Sequence, residues 1–322
     1  MYESIKNFNK QFSYKPEIKN RQNLARKDSF LVVGMGGSGL APKLLKIYEP
    51  NLDLIVHQDY GLPELPAKEL QNKLIILSSY SGNTEEVIDA FKKAKNKNLA
   101  MAVVSIGGKL LSLAKENNIP YIQLPDNGIQ PRMALGLSVM AFLKFIGAEA
   151  ELKKINKLVT TLNPAKYEKK GQTLAEKIKN HIPVVYATNR HLSLAYVWKI
   201  KINETGKIPA FYNIFPELNH NEMTGFDVKD STRDLSDKFY FLILRDPADN
   251  PKILKRMKVL EKLYQNRHLP MEIIELEGKE KYSWFKIFSS LILADWVAYY
   301  LALQYGLEPE QVPMVEEFKK LI

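Results

Sequence analysis

Short apolar runs of strand length recur along this chain, and most lead through a small-residue loop into a segment with helical periodicity. They lie at 30–33, 54–57, 74–77, 99–105 and 120–124, then at 182–187, 209–214, 239–244 and 271–276. Runs that are apolar throughout are buried on both faces, and strands separated by helices run parallel. The predicted fold class is therefore α/β, a doubly wound parallel sheet flanked by helices, present twice. The predicted division is into residues 1–150, which include a polar arm over 1–28, and residues 151–322. A charged helical segment, 151–180, broken at Pro164, bridges the two. The second half repeats the strand–loop–helix logic, but not the sequence closely enough to make a tandem repeat.

Two loops stand at the carboxyl ends of predicted strands, where open parallel sheets bind ligands. The first, Gly34-Met35-Gly36-Gly37-Ser38-Gly39, matches Gly-x-Gly-x-x-Gly at Gly34, Gly36 and Gly39. It lacks a P-loop lysine, since Lys43 lies too far on, and the next strand ends in His57-Gln58 rather than in an acid. The second loop, Ser79-Tyr80-Ser81-Gly82-Asn83-Thr84, opens an amphipathic helix with Glu85 and Glu86 in its first turn. Free amides, the positive end of the helix dipole and three hydroxyls make such a loop an anion holder. The same residues also fit an ordinary strand–turn–helix connection with Thr84 as N-cap. Side by side, the pair offers one glycine-lined loop for close backbone approach and one hydroxyl-lined loop for phosphate.

Composition narrows the classes. The 322 residues are 45% hydrophobic and 25% charged, ordinary for a globular protein with a sizeable core. Cysteine is absent, which removes disulfides, thiol nucleophiles and thiolate metal sites, and no histidine pair has metal-ligand spacing. The polar N-terminus does not read as a secretory signal, so the expected location is cytoplasmic. The longest apolar run, 289–303, is interrupted by Asp295 and reads as too short to cross a bilayer. The long apolar helix predicted over 282–305 is suited instead to burial against the first half or against a partner chain. The net charge of +10 comes from lysines interleaved with acids, without a basic arm or aromatic platform, so no nucleic-acid partner is expected.

The loops Gly36-Gly37-Ser38-Gly39 and Ser79 to Thr84 resemble those of the sugar isomerase (SIS) domain. Two further stretches, Trp198 to Lys207 (WKIKINETGK) and Glu217 to Glu222 (ELNHNE), are similar to the bifunctional phosphoglucose/phosphomannose isomerase family, which has two SIS-type subdomains per chain. The similarity runs from about Phe30 to Lys320. It implies an aldose–ketose isomerase acting on glucose 6-phosphate, fructose 6-phosphate and mannose 6-phosphate through a cis-enediol, with no metal or cofactor. It implies phosphate binding by Ser79, Ser81 and Thr84, with Gly36, Gly37 and Ser38 along the sugar. Arg132 matches the arginine that steadies the enediol, Glu204 the proton-transfer base and His220 the ring-opening residue. The family's histidine reaches in from the partner subunit, which implies a homodimer with shared sites. One position departs: Tyr300 stands where some members carry a ring-opening lysine, and tyrosine hydrogen-bonds without a positive charge.

The chemistry suits those residue types. Glu204 falls in the last turn before Gly206, where backbone carbonyls and the negative helix end face a carboxylate. His220 lies in a polar segment, and Arg132 follows Pro131 at the entrance to a helix. Read locally, each also fits a surface glutamate, a loop histidine and a surface ion pair. Two other functions share the pattern: a non-catalytic sugar-phosphate-binding regulator and a different SIS-type sugar-phosphate isomerase.

Overall fold

Apolar runs with β-branched residues become the strands of two parallel sheets, and the amphipathic segments between them become the covering helices. The computed structural model describes residues 1–278 and 280–321; Lys279 and Ile322, the last residue of the expected second half, lie outside the described residues. The chain forms two compact units, Asn7–Thr161 and Met1–Lys6 with Leu162–Ile322. The 150/151 position falls inside helix Glu149–Asn156.

In the N-terminal unit the strands are β1 (Ser29–Val33), β2 (Asp53–His57), β3 (Leu74–Ser78), β4 (Met101–Ser105) and β5 (Tyr121–Gln123). They run parallel in the order β2-β1-β3-β4-β5, with Val33 beside both His57 and Leu77. β3 and β4 are buried along their whole length, as continuous apolar runs require. Leu31, Val33, Ile75, Leu77 and Val103 meet Val87, Phe91 and Ala94 of helix Glu85–Asn96 and Leu110 and Ala114 of helix Gly108–Glu116. The predicted strand over 99–105 begins two residues late. Asn98 is left-handed (φ 50°) and the Leu99 amide donates back to the Ala94 carbonyl, so this segment closes the preceding helix. The polar arm packs as expected: the Gln11 amide donates to the Met133 carbonyl at 2.8 Å, and Lys19 bridges the edge strand β5 at Tyr121. Its first six residues join the C-terminal unit instead, where Tyr2 meets Trp296 edge-on at 5.2 Å.

The C-terminal unit carries β6 (Ile182–Thr188), β7 (Phe211–Phe215), β8 (Phe239–Arg245) and β9 (Met271–Glu275), parallel in the order β7-β6-β8-β9. Helix Pro251–Gln265 lays Met257, Leu260 and Tyr264 against one face of the sheet. Helix Leu192–Glu204 packs on β6 and β7 and, in turn, against helix Trp284–Gln304. That last helix corrects two expectations. Its 21 residues rise about 30 Å, enough by length and apolarity to span a membrane. Most of it is buried within its own unit, against helices Leu192–Glu204 and Glu168–Ile178, so its apolarity requires neither a bilayer nor a partner chain. Asp295 is tolerated there because buried Lys201 donates to it from the facing helix.

Candidate active site

The chain crosses from one side of the N-terminal sheet to the other between β1 and β3, and the loops after these two strands are the ones singled out by sequence. This is the switch point where doubly wound sheets open a crevice. The Tyr80 amide donates to the Ser38 hydroxyl at 2.9 Å, tying the hydroxyl loop to the glycine loop. Gly37 lies against the turn Pro131–Met133. A Cβ on Gly37 would stand 2.8 Å from the Pro131 carbonyl carbon and 3.0 Å from the Arg132 nitrogen, so only glycine permits this approach. Arg132 is thereby held at the glycine loop, only 2% exposed.

Within the hydroxyl loop the three side chains divide the work. Ser79 is fully buried, and its Oγ accepts from the amides of Gly82 (3.0 Å) and Thr84 (3.4 Å) and shares a hydrogen bond with the Thr84 hydroxyl at 2.7 Å. Ser81 is exposed and Thr84 half-buried. Thr84 occupies the N-cap position of helix Glu85–Asn96, yet its side chain does not cap the helix, leaving the first-turn amides for an incoming acceptor. Gly82 (φ 75°) lies over the β4 loop so closely that a Cβ would meet the Gly107 carbonyl oxygen at 1.8 Å. The loop is thus braced from beneath and its hydroxyls are preorganised.

Glu204, His220 and Tyr300 belong to the C-terminal unit. Glu204 ends helix Leu192–Glu204 and is half-buried. The expected glycine cap is displaced by one residue: Lys207, not Gly206, is left-handed (φ 60°), and its Nζ donates to the Glu204 carbonyl at 2.6 Å. Gly206 serves close packing instead, since a Cβ there would stand 2.7 Å from the Ile202 carbonyl and 3.5 Å from that of Ala298. Tyr196, two helical turns back, sits edge-on to Tyr212 at 5.5 Å. Burial first, then Tyr212 and the Glu204 carboxylate, raise the Tyr196 phenol above its ordinary value, so it stays a protonated donor. His220 is exposed at the end of the short turn Glu217–His220. Tyr300 turns elsewhere: its hydroxyl donates to Glu168 at 2.7 Å, and its ring stacks on Trp296.

The C-terminal sheet has its own switch point, between β6 and β8, and residues that the sequence reading passed over line it. Arg190 donates to Asp246 at 2.6 Å and to Asp249 at 2.7 Å. His191 and Lys286, both 1% exposed, reach Asp246 at 3.0 and 2.8 Å. Burial alone would raise the Asp246 carboxyl, but hydrogen bonds from His191, Lys286 and the Ala248 amide hold it well below the usual carboxylate range. His191, Asp246 and Asp249 come close enough together to suggest a metal site that linear spacing could not show. Arg190 and Lys286 already supply two positive charges to the two carboxylates, so the donor set is neutralised by side chains.

Comparison with known proteins agrees with this architecture. The profile of the bacterial phospho-glucose isomerase C-terminal SIS domain matches residues 167–322. A crystal structure of glucosamine-6-phosphate deaminase from Thermotoga maritima shares the fold, with a TM-score of 0.65 at 19% identity over 97% of both chains. The bifunctional phosphoglucose/phosphomannose isomerase of Aquifex aeolicus is 31% identical over 324 residues, 99% of this chain and 97% of that protein. That of Caldicellulosiruptor bescii is 31% identical over 340 residues, covering 99% and 98%. On this full-length identity, the chain belongs to the bifunctional phosphoglucose/phosphomannose isomerase family.

Proposed function

We propose that the chain interconverts glucose 6-phosphate, and mannose 6-phosphate, with fructose 6-phosphate through a cis-enediol. The observation that carries the reading is the N-terminal crevice, where Ser38 joins the glycine and hydroxyl loops and Gly37 admits the Arg132 turn. The phosphate takes the Ser81 and Thr84 hydroxyls and the first-turn amides, with Ser79 holding the loop in shape. The sugar lies along Gly36, Gly37 and Ser38. His220 opens the ring by moving the anomeric hydroxyl's proton to the ring oxygen. Glu204 then carries a proton between C1 and C2 on one face, and the Arg132 guanidinium offsets negative charge on the enediolate oxygen. Tyr300, committed to Glu168, has no place in this scheme. No metal or cofactor is needed, because a carboxylate and a cation suffice for proton transfer beside a carbonyl.

The test is isomerase rate and sugar-phosphate affinity measured together on wild type and Glu204→Gln. Loss of the proton acceptor lowers kcat by at least about a hundredfold with KM nearly unchanged. Turnover that survives within a factor of a few removes Glu204 from the reaction. A cytoplasmic homodimer in which each His220 serves the partner's site belongs to the same reading. Mixing inactive Glu204→Gln with inactive His220→Ala then restores activity through heterodimers, and no recovery despite demonstrated exchange shows that each site uses one chain.

A further inference from the structure

The turn that carries His220 is fastened by a residue to which no function has been attached. Glu222 lies two positions on, at the start of helix Glu222–Gly225. One of its carboxylate oxygens accepts from the Tyr186 hydroxyl and the other from the Asn213 side-chain amide. Tyr186 is fully buried on β6, inside the sheet, where Phe215 and Phe241 pack its ring; Asn213 lies on the neighbouring β7. Two strands thus hold one carboxylate from two directions. Asn221 adds a local clamp: its Oδ1 accepts from the Glu222 amide at 2.6 Å, and its Nδ2 donates to Glu217 at 2.8 Å. On the other side of His220, Leu218 is fully buried in the same core. His220 is therefore the exposed crest of a turn pinned on both flanks.

We propose that Glu222 is a positioning residue, which fixes the turn through Tyr186 and Asn213 so that the His220 imidazole is presented in one orientation. The proposal rests on the ring-opening role of His220 for its effect on rate, but not for its effect on geometry. A carboxylate is the group the arrangement calls for, since it accepts from both donors at once; a glutamine offers a single oxygen. Burial holds the Tyr186 phenol far above its ordinary value, so it remains a donor.

The test is a double-mutant cycle of Glu222→Ala and His220→Ala, with Glu222→Gln as the conservative variant, on proteins shown to be folded by circular dichroism. Glu222→Ala is expected to lower kcat at least about tenfold with KM within a factor of a few, and to cost nothing further once His220 is already alanine. Glu222→Gln recovers part of the loss. In parallel, the His220 ring carbon–proton NMR signal shifts or broadens in Glu222→Ala. Losses that multiply, or full activity in folded Glu222→Ala beside an impaired His220→Ala, overturn the positioning role. An active His220→Ala refutes the ring-opening reading by itself. The NMR signal then decides: a displaced signal sustains the anchoring, and an unmoved one overturns it.

Discussion

The two sheets offer the same crevice by topology and fill it in opposite ways. Between β1 and β3 the lining is glycine, hydroxyl and amide, with Ser81 exposed and Thr84 half-buried at an uncapped helix end. Between β6 and β8, Arg190, His191, Asp246, Asp249 and Lys286 pair with one another, with His191 Nδ1 and Asp249 Oδ2 left without a hydrogen-bond partner among the described residues, and the facing helix Pro251–Gln265 is capped by the Asn250 side chain and starts with proline. One crevice has its helix start uncapped by a side chain, and the other commits most of its charged groups to one another. The lesson is that a switch point says where a ligand could bind, while the side chains decide whether the place is a site or a structural plug.

The largest effect expected from breaking this contrast is on stability. Asp246→Ala strands Lys286 and His191, both buried, without their carboxylate, at a cost of roughly 3–5 kcal/mol. Denaturant unfolding measures it, and sugar-phosphate affinity at the N-terminal crevice should persist in the folded variant. A comparable loss of affinity with little loss of stability would show that the plug is itself a ligand site. Thr84→Ala is expected to do the reverse. Losing one hydrogen bond to a charged phosphate, worth roughly 1.5–3 kcal/mol, raises KM about ten- to a hundredfold while stability changes little.

The smallest effect is in pH dependence. Because the folded-state value of Asp246 is depressed, its stabilisation is complete above about pH 4, the ordinary carboxylate range, and is lost as pH falls toward the folded value. All three tryptophans, Trp198, Trp284 and Trp296, lie in the C-terminal unit, so their fluorescence follows that unit alone. Wild type should lose tryptophan-monitored stability progressively below pH 4. Asp246→Asn, less stable from the start, should show a flatter acid dependence, and equal slopes in the two proteins would contradict the assignment.

Legibility from sequence followed contact range. β3 and β4 could be read because an all-apolar run has few other uses, and the hydroxyl loop because its hydroxyls, glycine and helix start are contiguous. Full-length resemblance supplied the rest of the candidate residues. His191 escaped notice because its partner Asp246 is 55 residues away, and only the parallel pairing of β6 with β8 brings their ends together. A signal was available: polar residues at the carboxyl ends of both strands flanking the switch point. The left-handed Lys207 was hidden by the glycine before it, which serves packing against Ala298 instead of the turn. The apolarity of Trp284–Gln304 could be read, but not its burial partner, which depends on how helices stack.

The most direct test of the contrast is a crystal structure with fructose 6-phosphate bound, asking which switch point holds the phosphate. Phosphate oxygens are expected within hydrogen-bonding distance of Ser81, Thr84 and the first-turn amides of helix Glu85–Asn96, and none beside Thr188, Arg190 and Asp249. Phosphate seated between β6 and β8, with the hydroxyl loop empty, would contradict it.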